Sequence, residues 1–157
     1  MELICCKKYD KIAIDGPMRI NVGTKVQSKA NILFHEDKRI CLATSQNCYD
    51  HFAINDDGYG RKRFSLTHGI LADVEKIKAD YYDACREIAK EQIPTEEKQR
   101  KFDALDNKPE RFFSAMYADP IFSKYLKNGT WGFMFYYAGI DQLERLDALM
   151  KEVKENA

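Results

Sequence analysis

Asn55-Asp56-Asp57-Gly58-Tyr59-Gly60-Arg61-Lys62-Arg63 brings two carboxylates, two glycines and three consecutive cations into one short stretch. Its carboxylates offer the oxygen ligands that a hard cation such as calcium prefers, but the spacing does not follow. With Gly58 at the sixth position of a calcium loop, Ala53 stands where the first ligand belongs and Phe64 where the bidentate glutamate belongs. The cations and glycines suit an anion better. Glycine allows close approach, helix-start amides point outward, and arginine forks onto phosphate. Tyr59 and Phe64 add aromatic surface able to stack on a base. The local alternative is that Asp56 and Asp57 neutralise cations that oppose the helix dipole at roughly a few tenths of a kcal/mol each. The candidate binding residues are therefore Asp56, Asp57, Tyr59, Arg61, Lys62, Arg63 and Phe64.

Other constellations carry less. Cys41, Cys48 and His51, with Cys5 or Cys6 as a fourth ligand, have zinc-binding side chains but lack C-x2-C pairs. Small thiols filling a sheet core explain that pattern better. The histidines His35, His51 and His68 accompany no nucleophile elbow and no cysteine-protease signature. Adjacent carboxylates at Glu36-Asp37 and Glu96-Glu97 lie in polar surroundings where no pKa shift is expected. No catalytic residue, metal ligand or cofactor is nominated.

The elements that position these residues change character at the same stretch. Upstream, an apolar run at Leu3-Ile4-Cys5, alternation at Met18, Ile20 and Val22, and a hairpin of 32–34 with 40–43 predict three or four short antiparallel strands. Ser45 caps a short helix around 46–52. Downstream, Ile70, Val74, Ile77, Tyr81, Cys85 and Ile88 recur at helical spacing, predicting one long amphipathic helix over about 61–92. Further helices are expected from a Thr95 cap to about Leu105, from an Asn107 cap to Tyr117, and from Asp119-Pro120 to Asn128-Gly129. The last helix carries Ile140, Leu143, Leu146, Met150 and Val153 on one stripe. The dense aromatics between Phe112 and Tyr137 read as core between short helices, and the alternative is a patch for a protein partner. The expected fold class is α+β, a small antiparallel β-sheet lobe at 1–56 followed by a helical lobe at 57–157, together one compact unit.

The 157 residues suffice for a real core, and 25 cations balance 25 anions. Residues 1–58 hold 8 of each sign, so the balance is also local. Broad capture of nucleic acid or anionic membrane needs a basic face that this composition lacks. Met1 to Cys6 gives way at once to Lys7-Lys8, unlike a secretory leader. No apolar run reaches the ~20 residues of a membrane span. The expected location is the cytoplasm, with no membrane partner and with the five cysteines reduced.

Thr44-Ser45-x-Asn47, then Phe52-Ala53-x-Asn55-Asp56-Asp57-Gly58-x-Gly60, then Arg63, Leu66, Thr67 and Ile70 resemble a segment of small proteins carried by phages and other mobile elements of Gram-positive bacteria. The chain departs from that pattern at Gln46, where glutamate is usual, and at Phe64, where glycine is usual. The resemblance implies an accessory protein acting inside a bacterial cell and brings no catalytic residues with it. The functional expectation is a non-enzymatic binding protein that docks to a protein partner in the bacterial cytoplasm, for instance to block a host defence factor. One alternative is a nucleic-acid-binding accessory protein using the basic entrance at 61–63. The other is a metal-dependent hydrolase or nuclease, which requires a pocket joining His68 or His51 to two carboxylates.

Overall fold

The computed structural model describes residues 1–120 and 138–155 and shows the expected α+β class. Seven strands precede the long helix: β1 (Glu2–Cys5), β2 (Tyr9–Ala13), β3 (Gly16–Ile20), β4 (Lys25–Lys29), β5 (Ile32–His35), β6 (Lys38–Leu42) and β7 (Phe52–Ile54). Helix α1 (Gln46–His51) separates β6 from β7. Downstream lie α2 (Gly60–Lys90), α3 (Thr95–Ala104), α4 (Lys108–Ala118) and α5 (Ile140–Glu155). The chain divides into two compact units, 1–67 with 132–143 and 68–131 with 144–157, so the division falls within α2 rather than after residue 56.

In the first unit the antiparallel sheet runs in the order β6-β5-β4-β1-β7, and β2-β3 forms a separate hairpin. Main-chain bonds from Ile14 N to Ile40 O and from Asp15 N to Arg39 O tie the end of that hairpin to β6. Inward-facing Leu3, Cys5, Tyr9, Ile20, Val26, Leu33, Ile40, Cys41, Cys48 and Phe52 build one core. The register of β5 on β6 slips between Phe34↔Arg39 and Ile32↔Leu42, so Ile40 and Cys41 together oppose Leu33. This bulge buries two consecutive β6 side chains where strict alternation would bury one. Ser45 caps α1 as expected, its hydroxyl accepting from Cys48 N at 3.2 Å.

Two strands were not legible in the sequence. β4 (Lys-Val-Gln-Ser-Lys) buries only Val26 fully, because its other face carries Lys25, Gln27 and Lys29 into solvent. β7 follows α1 without a break, and its three residues pair with β1 through Leu3↔Ile54 and Cys5↔Phe52. The strand expected around 18–22 lies instead at Gly16–Ile20, paired to β2 in the register Tyr9↔Ile20.

In the second unit α2 presents Ile70, Val74, Ile77 and Ile88 as its buried stripe, and α4 buries Phe112 and Met116. Leu146, Met150 and Val153 form the buried face of α5. Polar ties hold these helices together: Lys154 Nζ meets Asp73 Oδ1 at 3.1 Å, Arg111 donates to Val153 O at 3.1 Å, and Arg145 pairs with Asp119 at 2.8 Å. Asn107 caps α4 through Glu110 N, as its position predicts. Thr95 does not cap α3. Pro94 occupies the cap and Thr95 is the first helical residue, because proline's fixed φ suits the turn of chain before a helix. The helix expected up to Asn128-Gly129 and the aromatic run 131–137 lie outside the described residues.

Candidate functional site

The stretch from Asn55 to Phe64 lies entirely in the first unit, between the end of β7 and the first turns of α2. Asn55 organises it. Its main chain bonds Glu2 O at 2.9 Å, its Nδ2 donates to Glu2 Oε2 at 2.8 Å, and its Oδ1 accepts Gly60 N at 2.9 Å. The last bond satisfies one of the orphan amides at the start of α2. Gly58 N closes a turn onto Asn55 O at 3.0 Å, with Gly58 at φ +81°. Asp56 Oδ1 accepts Glu2 N at 2.8 Å, fastening the loop to the first strand. Glycine at position 60 is required by space, since a Cβ there would stand 2.5 Å from Ile4 Cγ2 and 2.8 Å from Asn55 Oδ1.

The three cations have separate fates. Arg63 is only 6% exposed, contrary to the expectation that it faces a ligand. Its Nη2 pairs with Asp57 Oδ2 at 2.6 Å, its Nη1 donates to Ile54 O at 2.5 Å, and its Nε donates to Ala138 O at 3.1 Å. A guanidinium with donors on three nitrogens is the one side chain that can reach all three acceptors at once. Asp57 also accepts Tyr59 N at 3.0 Å, and the Arg63 guanidinium beside it holds its carboxyl below the usual range. Asp57 and Arg63 are thus an internal clamp across the loop.

Arg61 is exposed, forms no ion pair with a described residue, and lies against Gly23, with Nη2 2.6 Å from where a Cβ would stand. Lys62 is exposed, and Phe64 is half-buried. Tyr59, the residue immediately before α2, has 56% of its surface exposed. Five of the seven candidate residues are exposed, Asp56, Asp57, Tyr59, Arg61 and Lys62, and of these Asp56 and Asp57 are already bonded within the fold.

The zinc and hydrolase constellations are not assembled among the described residues, where no group of three or more His, Cys, Asp or Glu side chains is placed to hold a metal ion. His51 is buried, with Nδ1 3.1 Å from Lys7 O and its ring edge-on to Tyr9 at 5.1 Å. His35, on the β5–β6 hairpin, is half-buried rather than fully solvated. Cys5, Cys41 and Cys48 are buried free thiols of the sheet core, as their pattern suggested. Among the described residues, no helix is long and apolar enough to cross a membrane.

The signal for the clamp was the acidic pair itself. Asp57 lies six residues before Arg63, but only the turn at Gly58 brings them face to face. No family model, no curated protein and no solved structure matches this chain.

Proposed function

We propose that this chain is a non-enzymatic binding protein whose Asn55–Gly60 loop recognises a protein partner through Tyr59 and Arg61. The observation that carries this reading is an exposed aromatic ring, Tyr59, on a loop whose carboxylates and amides are already bonded within the fold. A side chain presented on a prebuilt loop loses little conformational freedom on binding. Tyrosine and arginine are also the residue types that most often anchor interfaces. The balanced charge of 25 cations and 25 anions fits a partner chosen by shape and a few contacts rather than by bulk attraction. The resemblance of the 44–70 segment to proteins of phages and mobile elements supports a bacterial cytoplasm as the setting, with blocking of a host defence factor as one instance.

Tyr59→Ala and Arg61→Ala test the reading. A partner captured from host-cell lysate and then purified should bind the wild-type chain at least tenfold more tightly than the double variant, with thermal stability unchanged. Equal affinity would remove the loop from the interface. Arg61 beside Tyr59 also suits a phosphate with a stacked base, and salt separates that second reading. Log affinity for an oligonucleotide would then fall linearly with log salt, by about 0.7 per single-strand phosphate contacted.

A further inference from the structure

We infer that the second unit carries a binding site for a small aromatic carboxylate, in a cavity where α2, the α3–α4 junction and the end of α5 meet. The inference is independent of the Asn55–Gly60 loop, since every residue lining the cavity belongs to the second unit. The cavity holds about 320 Å³, within the range of roughly 300–1,000 Å³ typical of small-ligand sites. Helical spacing builds its first wall. Ile77, Tyr81 and Ala84 recur every three or four residues along α2, so they share one face. Leu105, which ends α3, adds an apolar side chain from the α3–α4 junction. Ile77 is buried, while Tyr81, Ala84 and Leu105 are half-buried, leaving the Tyr81 ring and its aliphatic neighbours partly open to a ligand.

The charged lining is unequal. Three ammonium groups, on Lys76, Lys108 and Lys154, stand against two carboxylates, Asp80 and Asp106. Both carboxylates are already engaged. Lys76 Nζ contacts the two Asp80 oxygens at 2.7 and 2.8 Å, and Arg111 donates to both Asp106 oxygens at 2.8 Å. Lys154 is paired with Asp73 at 3.1 Å. Lys108 alone of the three lysines has no carboxylate partner among the described residues, and its Nζ donates to Lys154 O at 3.0 Å. That bond ties the first residue of α4 to the last turn of α5 and so fixes where the ammonium stands. Glu110, in the same turn of α4, is held by Asn107 at 3.2 Å.

One negative charge on a flat apolar body completes this set. The carboxylate pairs with Lys108, and the ring covers Tyr81 and Leu105. A neutral ligand would displace water from the ammonium without replacing its hydrogen bonds, which is unfavourable. A polyanion would need more unpaired cations than the cavity offers. Lysine acts as a compact point charge, so the ligand's ring supplies the shape selection and its carboxylate supplies the charge.

Calorimetric titration of the full chain with phenylacetate, its neutral amide phenylacetamide, and acetate tests the inference. Phenylacetate should bind at least tenfold more tightly than either of the others. Lys108→Gln keeps an N–H for Lys154 O but removes the charge, and should bring phenylacetate down to the level of phenylacetamide. Ala84→Leu adds volume to the α2 wall without opposing the helix, and should abolish binding of both aromatic probes. Thermal unfolding checks that the variants fold. Should either fail to, the three-probe comparison on the wild-type chain still decides, with chemical-shift changes at the Ile77 and Leu105 methyl groups locating the site. The inference is overturned if phenylacetate does not bind, if phenylacetamide or acetate binds equally well, or if both folded variants bind phenylacetate like wild type. Binding of an acidic peptide but not of phenylacetate would likewise overturn it, and would make this face a protein-docking surface.

Discussion

Asp57 and Arg63 face each other across the entrance of α2, joined at 2.6 Å, with the guanidinium at 7% side-chain exposure and the carboxylate at 45%. The pair converts two residues of a surface-looking charge run into part of the first unit's framework. Removing the cation would leave Ile54 O, Ala138 O and the Asp57 carboxylate without their common donor. Arg63→Ala is expected to lower unfolding stability by about 3 kcal/mol. Arg63→Lys should recover less than half, because one ammonium cannot serve three separated acceptors. Asp57→Asn should cost about 1–2 kcal/mol, since Arg63 retains both carbonyls. Urea unfolding of the three variants measures each difference, and a neutral Arg63→Ala would refute the clamp.

Acid should weaken the same pair. Arg63 depresses the folded-state pKa of Asp57, with help from the Tyr59 amide. A carboxylate lowered in the folded state adds stability above its unfolded value of about 3.9, and that stability is lost as pH falls through the depressed one. The stability gap between wild type and Asp57→Asn should therefore be constant from pH 7 to about 5 and narrow below about 4. Asp15, lowered by Arg39, contributes to the remaining acid sensitivity in the same direction. A gap independent of pH would separate Asp57 from the effect.

Two glycines of the loop should fail for different reasons. Gly60→Ala places a Cβ 2.5 Å from Ile4 Cγ2, a buried contact that cannot relax without moving β1. About 2 kcal/mol of destabilisation is expected there. Gly58→Ala meets nothing within 4 Å but must hold φ +81°, which costs about 1 kcal/mol. Gly58→Asn, tolerant of left-handed φ, should be milder than Gly58→Ala, and Gly60→Asn should not be milder than Gly60→Ala. Chemical denaturation midpoints rank the four.

Tyr9 is fully buried among described residues, yet its hydroxyl has no hydrogen-bond partner among them. The ring is nevertheless held by His51 edge-on at 5.1 Å and by Phe52 at 5.8 Å. Tyr9→Phe should leave stability unchanged or raise it by up to about 1 kcal/mol, because it removes an unsatisfied buried polar atom. Phe52→Ala, which deletes a buried ring from the same cluster, should cost about 3–5 kcal/mol. A destabilised Tyr9→Phe would mean that the hydroxyl has a partner in solution.

Tyr59 and Arg61 provide the opposite expectation. Neither supports a described element through an ion pair, so their alanine variants should stay within about 0.5 kcal/mol of wild type. Calorimetry of Tyr59→Ala and Arg61→Ala checks this, and a large loss would mark them as structural.

Periodicity located the long helix and the last helix, while local residue types located the helix end before Pro94, the β5–β6 hairpin and the Ser45 and Asn107 caps. These features depend on residues close in sequence, where side-chain spacing and local hydrogen bonds act directly. Strands β4 and β7 depended on partners far along the chain, and a strand flanked by others needs only one buried face, so Lys25–Lys29 carried too little apolar signal to be seen. The fate of the charge run was likewise tertiary. The cations Arg61, Lys62 and Arg63 carry the same charge in the sequence, but a helix turns about 100° per residue. Only the packed fold decides that position 63 points under the loop, to Asp57, Ile54 and Ala138, while position 61 points to solvent.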